Sequence, residues 1–302
     1  MATIKNYVCS YVNPNLDGTA CGIALANLLS VILNEKWVPV YRGVLDCESE
    51  HVLHYLGIPD PVLVNDVGNA DKIALVDTHH ILQLGTAFPT DKVTFIFDHH
   101  PNGDNDKFSN ALVKNETIGA AASLIADEYF KAQILDEKML RLLGFAIASN
   151  TVNFTVATTS DYDRDIFTKI TQLYPISTGE IKDMLHSRAN ILKRGAYAAA
   201  KSDIKIFDTP VGKVGISQLG FPGLNATINI EEMKGILSSV AGEMNLDYFL
   251  MNAGDAEEDT SIVISANSKT TELLRNHFNK AFENDWQKFD KMLLRKKDFL
   301  FK

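Results

Sequence analysis

Asp98-His99-His100-Pro101 puts one carboxylate and two imidazoles in consecutive positions. Neighbouring side chains leave a loop in different directions, so one histidine can ligate a metal while the other faces a phosphate oxygen. Two further sets carry oxygen and nitrogen donors: Asp77-Thr78-His79-His80 and Asn13-Pro14-Asn15-Leu16-Asp17-Gly18. One such stretch alone reads as a polar loop. Three of them point to a metal centre, and carboxylates mixed with imidazole suit manganese, cobalt or magnesium better than a structural zinc.

The elements that must hold these groups read as alternating strands and helices. Asn6–Tyr11, Trp37–Tyr41, Lys72–Val76 and Val93–Phe97 are short runs rich in β-branched and aromatic residues, which predicts buried strands. Cys21–Leu33 and Glu48–Leu56 have helical character between them, so the pattern predicts a parallel sheet covered by helices. Each polar set then falls just after a strand, on the carboxyl edge where open α/β sheets bind ligands. Helices continue over Ile118–Phe130, Glu137–Ala148 and Ile170 to Arg194, and the composition shifts near Ala196–Asp203. Beyond that point strands are expected at Ile204–Phe207, Lys213–Gln218, Tyr248–Met251 and Ser261–Ser265, with helices at Glu231–Met244 and Lys269–Phe282. The chain reads as two α/β domains.

These residues resemble a known family. The chain is similar to the DHH phosphoesterases, most closely the family II (manganese-dependent) inorganic pyrophosphatases and exopolyphosphatase-like proteins. The family's H-x-N-P-D-x-D motif corresponds to Tyr11-Val12-Asn13-Pro14-Asn15-Leu16-Asp17, and its V-D-H motif to Val76-Asp77 with the histidines that follow. Its D-H-H motif is Asp98-His99-His100 and its S-D-T motif is Ser149-Asn150-Thr151. Likeness extends through Tyr41-Arg42-Gly43, Asp203-Ile204-Lys205 and Gly215 to Gln218, while Leu294-Arg295-Lys296-Lys297 resembles a terminal S-R-K-K. The glycine-rich run with a histidine that marks the nucleic-acid and cyclic-dinucleotide branch is absent from the sequence.

The resemblance implies an organisation and a chemistry. Residues 1–187 would form the metal-binding domain, an N-terminal parallel sheet flanked by helices. Residues 188–195 would be a linker, and 196–302 a smaller α/β domain with a mixed sheet, the active-site cleft lying between the two. The substrate implied is pyrophosphate or short polyphosphate, and the assembly a homodimer. Asp17, Asp77 and His99, with Asn15 and Asn150, occupy the family's metal-ligand positions. Asp77 and His100 take catalytic roles, and Lys205, Arg295 and Lys296 bind the phosphates. His79 and His80 are expected to support the ligands and not to bind metal themselves.

Three positions depart from the family pattern: Tyr11 stands for its histidine, and Asn15 and Asn150 stand for two aspartates. Two carboxylates then face a site that had four, which suits fewer than two tightly bound ions. The expectation is a phosphoanhydride hydrolase of weakened or altered activity. The alternative is a catalytically inactive relative that binds a phosphorylated ligand as a sensor or interaction protein.

Composition bounds these readings. With 29 Lys+Arg against 38 Asp+Glu the net charge is −9, which excludes broad binding to a nucleic-acid backbone. Cys9, Cys21 and Cys47 form no paired framework, and the first residues lack a basic-then-apolar leader. No window is expected to reach the roughly 18 apolar residues of a membrane span. A cytoplasmic protein with no membrane or nucleic-acid partner is expected.

Overall fold

Six strands of the first part of the chain pair in parallel: β1 (Asn6–Cys9), β2 (Trp37–Tyr41), β3 (Val62–Leu63), β4 (Lys72–Val76), β5 (Val93–Asp98) and β6 (Leu112–Asn115). Their order across the sheet is β3-β2-β1-β4-β5-β6. This computed structural model describes residues 5–85, 87–101, 103–221, 223–224, 228–255, 258–299 and 301. The chain divides into two units, the first ending at Leu185 and the second beginning at His186.

Alternation explains why the central strands of the first unit are mostly apolar on both faces. Val8, Ala74 and Val76 face one side of the sheet and join the larger core, while Cys9, Ile73, Leu75 and Ile96 face the other. Successive side chains point to opposite faces, so a strand buried on both sides leaves few positions for polar residues away from its ends. The larger core is closed by α1 (Leu16–Leu33), α2 (Cys47–Leu56), α3 (Ala121–Lys131), α4 (Glu137–Asn150) and α5 (Asp161–Leu173), with α6 (Thr178–Ser187) following. Val67, Leu84 and Phe108, from short irregular segments, pack on the opposite face.

Helix α1 starts five residues before its expected onset at Cys21. Asn15 is its N-cap, and the Asn15 side chain accepts from the Gly18 amide at 2.9 Å; that cap nucleates the helix through a stretch that reads locally as a turn. The 18 residues of α1 have a mean hydropathy of 1.7, long and apolar enough to cross a membrane. This corrects the expectation that no window reaches that limit. The apolarity has a packing reason, since 72% of the helix is buried inside the first unit.

The second unit is built on a mixed five-stranded sheet in the order β11-β10-β9-β8-β7. Its strands are β7 (Ile204–Thr209), β8 (Gly212–Gly220), β9 (Tyr248–Asp255), β10 (Thr260–Ser265) and β11 (Trp286–Phe289). β8 and β9 run parallel, and the other neighbours are antiparallel. Helices α7 (Ala196–Lys201) and α8 (Ile230–Glu243) cover one face, and α9 (Ser268–Phe278) the other, before the single turn α10 (Arg295–Asp298). Arg188–Arg194 form a 3-10 helix whose Ala189, Ile191 and Leu192 pack against this unit's core. The α/β class, with one parallel and one mixed sheet, is the one expected. Strands β3, β6 and β11 are additions: each is short and lies at a sheet edge, where partly exposed residues give little periodic signal.

Candidate metal centre

The strand order places β2 and β3 on one side of β1 and β4 on the other. The carboxyl ends of β1 and β4 therefore flank the point where the winding of the sheet reverses, the usual ligand crevice of an open α/β sheet. Asn15 and Asp17 follow β1, Asp77 follows β4, and Asp98-His99-His100 close β5. Asp77 has a φ of 57°, in the left-handed region that Asp tolerates better than most residues, and its amide donates to the Phe97 carbonyl at 2.8 Å. The chain thus turns at once at the end of β4 while staying tied to β5.

Asp98 organises the histidines. It is fully buried. Its Oδ1 accepts from the His99 amide (2.7 Å), the His100 amide (3.3 Å) and His100 Nδ1 (2.8 Å). Its Oδ2 is hydrogen-bonded to Nδ1 of the buried His79. Burial pushes the Asp98 carboxyl up, but the bond and charge of His100, with the donors of His79 and the His99 amide, hold it well below the usual carboxylate range.

His99 is set up differently. Its Nδ1 donates to the Ile118 carbonyl at 2.8 Å, so Nε2 turns inward, 3.1 Å from Asp77 Oδ1 and 3.9 Å from Asp17 Oδ2. Burial pulls the imidazole pKa down, but Asp77, by contact and charge, and then Asp17 raise it to about 10. A proton on Nε2 and a divalent cation compete for one place. Ligand atoms of Asp77, His99 and His100 all lie within 4.8 Å of one another, the only such group among the described residues.

Asp17 does two jobs. Its carboxylate accepts from the Ala121 and Ala122 amides, each at 2.9 Å, and caps α3, whose own N-cap position is Ala120. Burial and the nearby Asp77 push the Asp17 pKa up to about 7, against the influence of His99 and of the two amides.

Around the mouth of this cluster the three departing residues touch. The Asn15 amide donates to Tyr11 Oη at 3.3 Å, and Asn15 Nδ2 lies 3.4 Å from Asn150 Oδ1. Asn150 Nδ2 donates to the Gly119 carbonyl at 2.8 Å and sits 3.5 Å from His99 Nε2. The Asn150 amide therefore turns its nitrogen toward His99 and its oxygen toward Asn15. Behind them, buried Asp163 accepts from the Gly119 amide (2.8 Å) and from Ser123 Oγ (2.6 Å), fixing the loop whose carbonyls hold His99 and Asn150.

The structure thus brings together Asp17, Asp77, His99, His100, Asn15 and Asn150. Sequence reasoning missed the cap that Asp17 gives α3, the anchoring by Asp163 and the part His79 plays at Asp98. The only local hint was that His79 and Asp98 each lie at or just beyond a strand end. The remaining three expected residues belong to the second unit. Lys205 is exposed on β7, and Arg295 makes a two-pronged ion pair with Asp203 at 3.0 and 3.1 Å. The side chain of Lys296 lies outside the described residues.

A two-unit α/β chain with carboxylate and imidazole donors gathered at the switch point of a parallel sheet has the groups a metal-dependent phosphoesterase needs. No family model matches the chain. It is 30% identical to the manganese-dependent inorganic pyrophosphatase of Methanocaldococcus jannaschii over 70% of each chain. It is 27% identical to that of Methanothrix thermoacetophila over 97% of this chain and 96% of the relative. The crystal structure of a putative family II inorganic pyrophosphatase from Methanococcus jannaschii superposes with a TM-score of 0.78 at 25% identity, covering 98% of this chain and 97% of that one. An exopolyphosphatase-related protein from Bacteroides fragilis shares the fold, with a TM-score of 0.51 at 14% identity over 98% of this chain and 89% of its own. The chain belongs to the manganese-dependent inorganic pyrophosphatase family.

Proposed function

We propose that this chain hydrolyses the phosphoanhydride bond of inorganic pyrophosphate or short polyphosphate at a one-cation site, with activity weakened or altered by Tyr11, Asn15 and Asn150. The Asp77–His99–His100 cluster carries this reading. Asp77 Oδ1 is buried without an aligned hydrogen-bond donor among the described residues, and the Ile118 carbonyl turns His99 Nε2 onto it. Those atoms fit one divalent cation, manganese first, with cobalt or magnesium suited to the same donors. They do not fit two. Tyr11, Asn15 and Asn150 are neutral, so the groups around Asp77 add no further charge to hold a second ion.

A bound cation supplies Lewis-acid activation of water and neutralises phosphate charge. Asp77 and His99 hold it, with Asp17 at hand. His100 is partly exposed with Nδ1 tied to Asp98, which leaves Nε2 to meet a phosphate oxygen and carry the proton that the leaving group takes. Lys205, Arg295 and Lys296 supply cations for phosphate oxygens, Arg295 by exchanging Asp203 for the ligand.

A second reading is binding without turnover, and the Asn15–Asn150 contact favours it because an amide pair contributes no charge to a metal cage. Phosphate release from pyrophosphate and tripolyphosphate, with manganese supplied, separates the two. Turnover that disappears in both Asp77→Ala and His99→Ala supports hydrolysis at this site. Turnover that persists in those variants places the chemistry elsewhere. Tight pyrophosphate binding by the native chain without release, with release appearing only in Asn15→Asp/Asn150→Asp, supports the second reading and sinks the first.

A further inference from the structure

From the contacts of the three departing residues we infer that a neutral hydrogen-bonded chain, Tyr11–Asn15–Asn150–Gly119, ties the elements of the site together where a pair of aspartates would repel and require bound cations. The chain links three separate parts of the first unit: the β1–α1 turn, the last residue of α4 and the loop before α3.

Both asparagines are engaged on two sides. Asn15 Oδ1 is committed to the Gly18 amide as the cap of α1, so its Nδ2 is the atom left to reach across to Asn150 Oδ1. Asn150 Oδ1 accepts there, and its Nδ2 donates to Gly119. Tyr11 Oη accepts from the Asn15 backbone amide, and burial followed by the nearby Asp77 charge holds the phenol well above its ordinary pKa, so it stays a neutral hydroxyl. Nothing in this chain carries a charge.

Aspartate at positions 15 and 150 would behave in the opposite way. The cap on α1 would survive, since Asp caps as well as Asn. The bridge would not, because neither carboxylate has an N–H to offer, and two negative groups would face each other beside Asp77 and Asp17. The shared core would still pack α1, α3 and α4 together, but cations would be needed at the carboxylates to relieve that repulsion. The asparagines remove that requirement, so the site is assembled by the protein itself and its form does not depend on metal. Hydrolysis is not needed for this inference, which stands or falls apart from the proposed function.

Thermal melting of the whole chain in EDTA and in manganese tests it, comparing the native protein with Asn15→Asp/Asn150→Asp. In EDTA the double variant melts lower by at least about 4 °C, and manganese narrows that gap. Each single variant costs little alone, because one remaining amide can turn its N–H toward the new carboxylate, so the loss in the pair exceeds the sum. If the double variant does not fold in EDTA, Asn15→Ser serves instead: it keeps the cap but not the bridge, and it melts lower by a margin that manganese leaves unchanged. Equal melting of native and double variant in EDTA would overturn the inference. So would a gap of the same size in manganese, since the amides would then replace no cation, and so would an Asn15→Ser protein as stable as the native one.

Discussion

Asp98 makes two adjacent histidines unlike each other. His99 rests its Nδ1 on a backbone carbonyl and aims Nε2 at Asp77, the arrangement of a metal ligand, while His100 rests its Nδ1 on the Asp98 carboxylate. That division depends on Asp98 keeping one rotamer, and His79 holds its second oxygen. His79 in turn has no room to move: a Cβ at Gly103 would stand 1.7 Å from its Nε2. His79→Leu should therefore destabilise the chain by about 1–3 kcal/mol, since a buried carboxylate oxygen loses its donor. Gly103→Ala should act in the same direction by displacing the ring. Urea unfolding of both variants checks this, and a Gly103→Ala protein as stable as the native one would show that the ring is not confined.

At the scale of elements, carboxylates tie helices of the first unit to one another across its surface. Glu180 is the clearest case. Its Oε1 accepts from Tyr55 of α2 and from Arg141 of α4, each at 2.6 Å, and its Oε2 accepts from the Ser177 amide at 2.7 Å. The Glu180 amide donates back to Ser177 Oγ at 3.2 Å, a capping box that starts α6. Burial pushes the Glu180 carboxyl up, but the Ser177 and Tyr55 donors and Arg141 bring it below its ordinary 4.5. A carboxyl with a depressed folded pKa contributes stability above its unfolded value and loses it as pH falls through the folded one. Native stability should thus decline as pH drops below about 4.5, and Glu180→Gln should lower stability at pH 7 while flattening that decline. Urea midpoints across pH 3–7 measure it; parallel curves for the two proteins would mean that Glu180 carries no linkage.

At the scale of the whole molecule, the two units have separate cores, each sheet packed on both faces. Phe249 is fully buried on β9 of the second unit, whereas Asp77 and His99 belong wholly to the first. Phe249→Ala should cost about 3–5 kcal/mol in the second unit and leave manganese affinity at Asp77 and His99 unchanged. Calorimetry and metal titration read the two quantities independently. A loss of manganese binding in this variant would show that the first unit does not hold its site alone.

What could be read from the sequence was whatever local spacing controls. The strand Lys72–Val76 falls where its apolar run predicts, because burial on both faces leaves a continuous pattern. The donors Asp77, His99 and His100 were visible because they sit directly after such strands. The start of α1 lies earlier than its spacing predicts, since Gly18 weakens the helical pattern there and the deciding event is a side-chain cap at Asn15. Asn15 and Asn150 could be named as departures, but not as partners: they are 135 positions apart, and only the packing of α1 on α4 brings them to 3.4 Å. The same holds for the orientation of His99, which depends on the Ile118 carbonyl, and for Asp17, whose second task is to cap a helix more than a hundred residues away. Residue type and periodicity determine which groups can ligate and roughly where they lie. Which atom each group turns toward the centre is decided by hydrogen bonds between distant segments, and those exist only once the chain has folded.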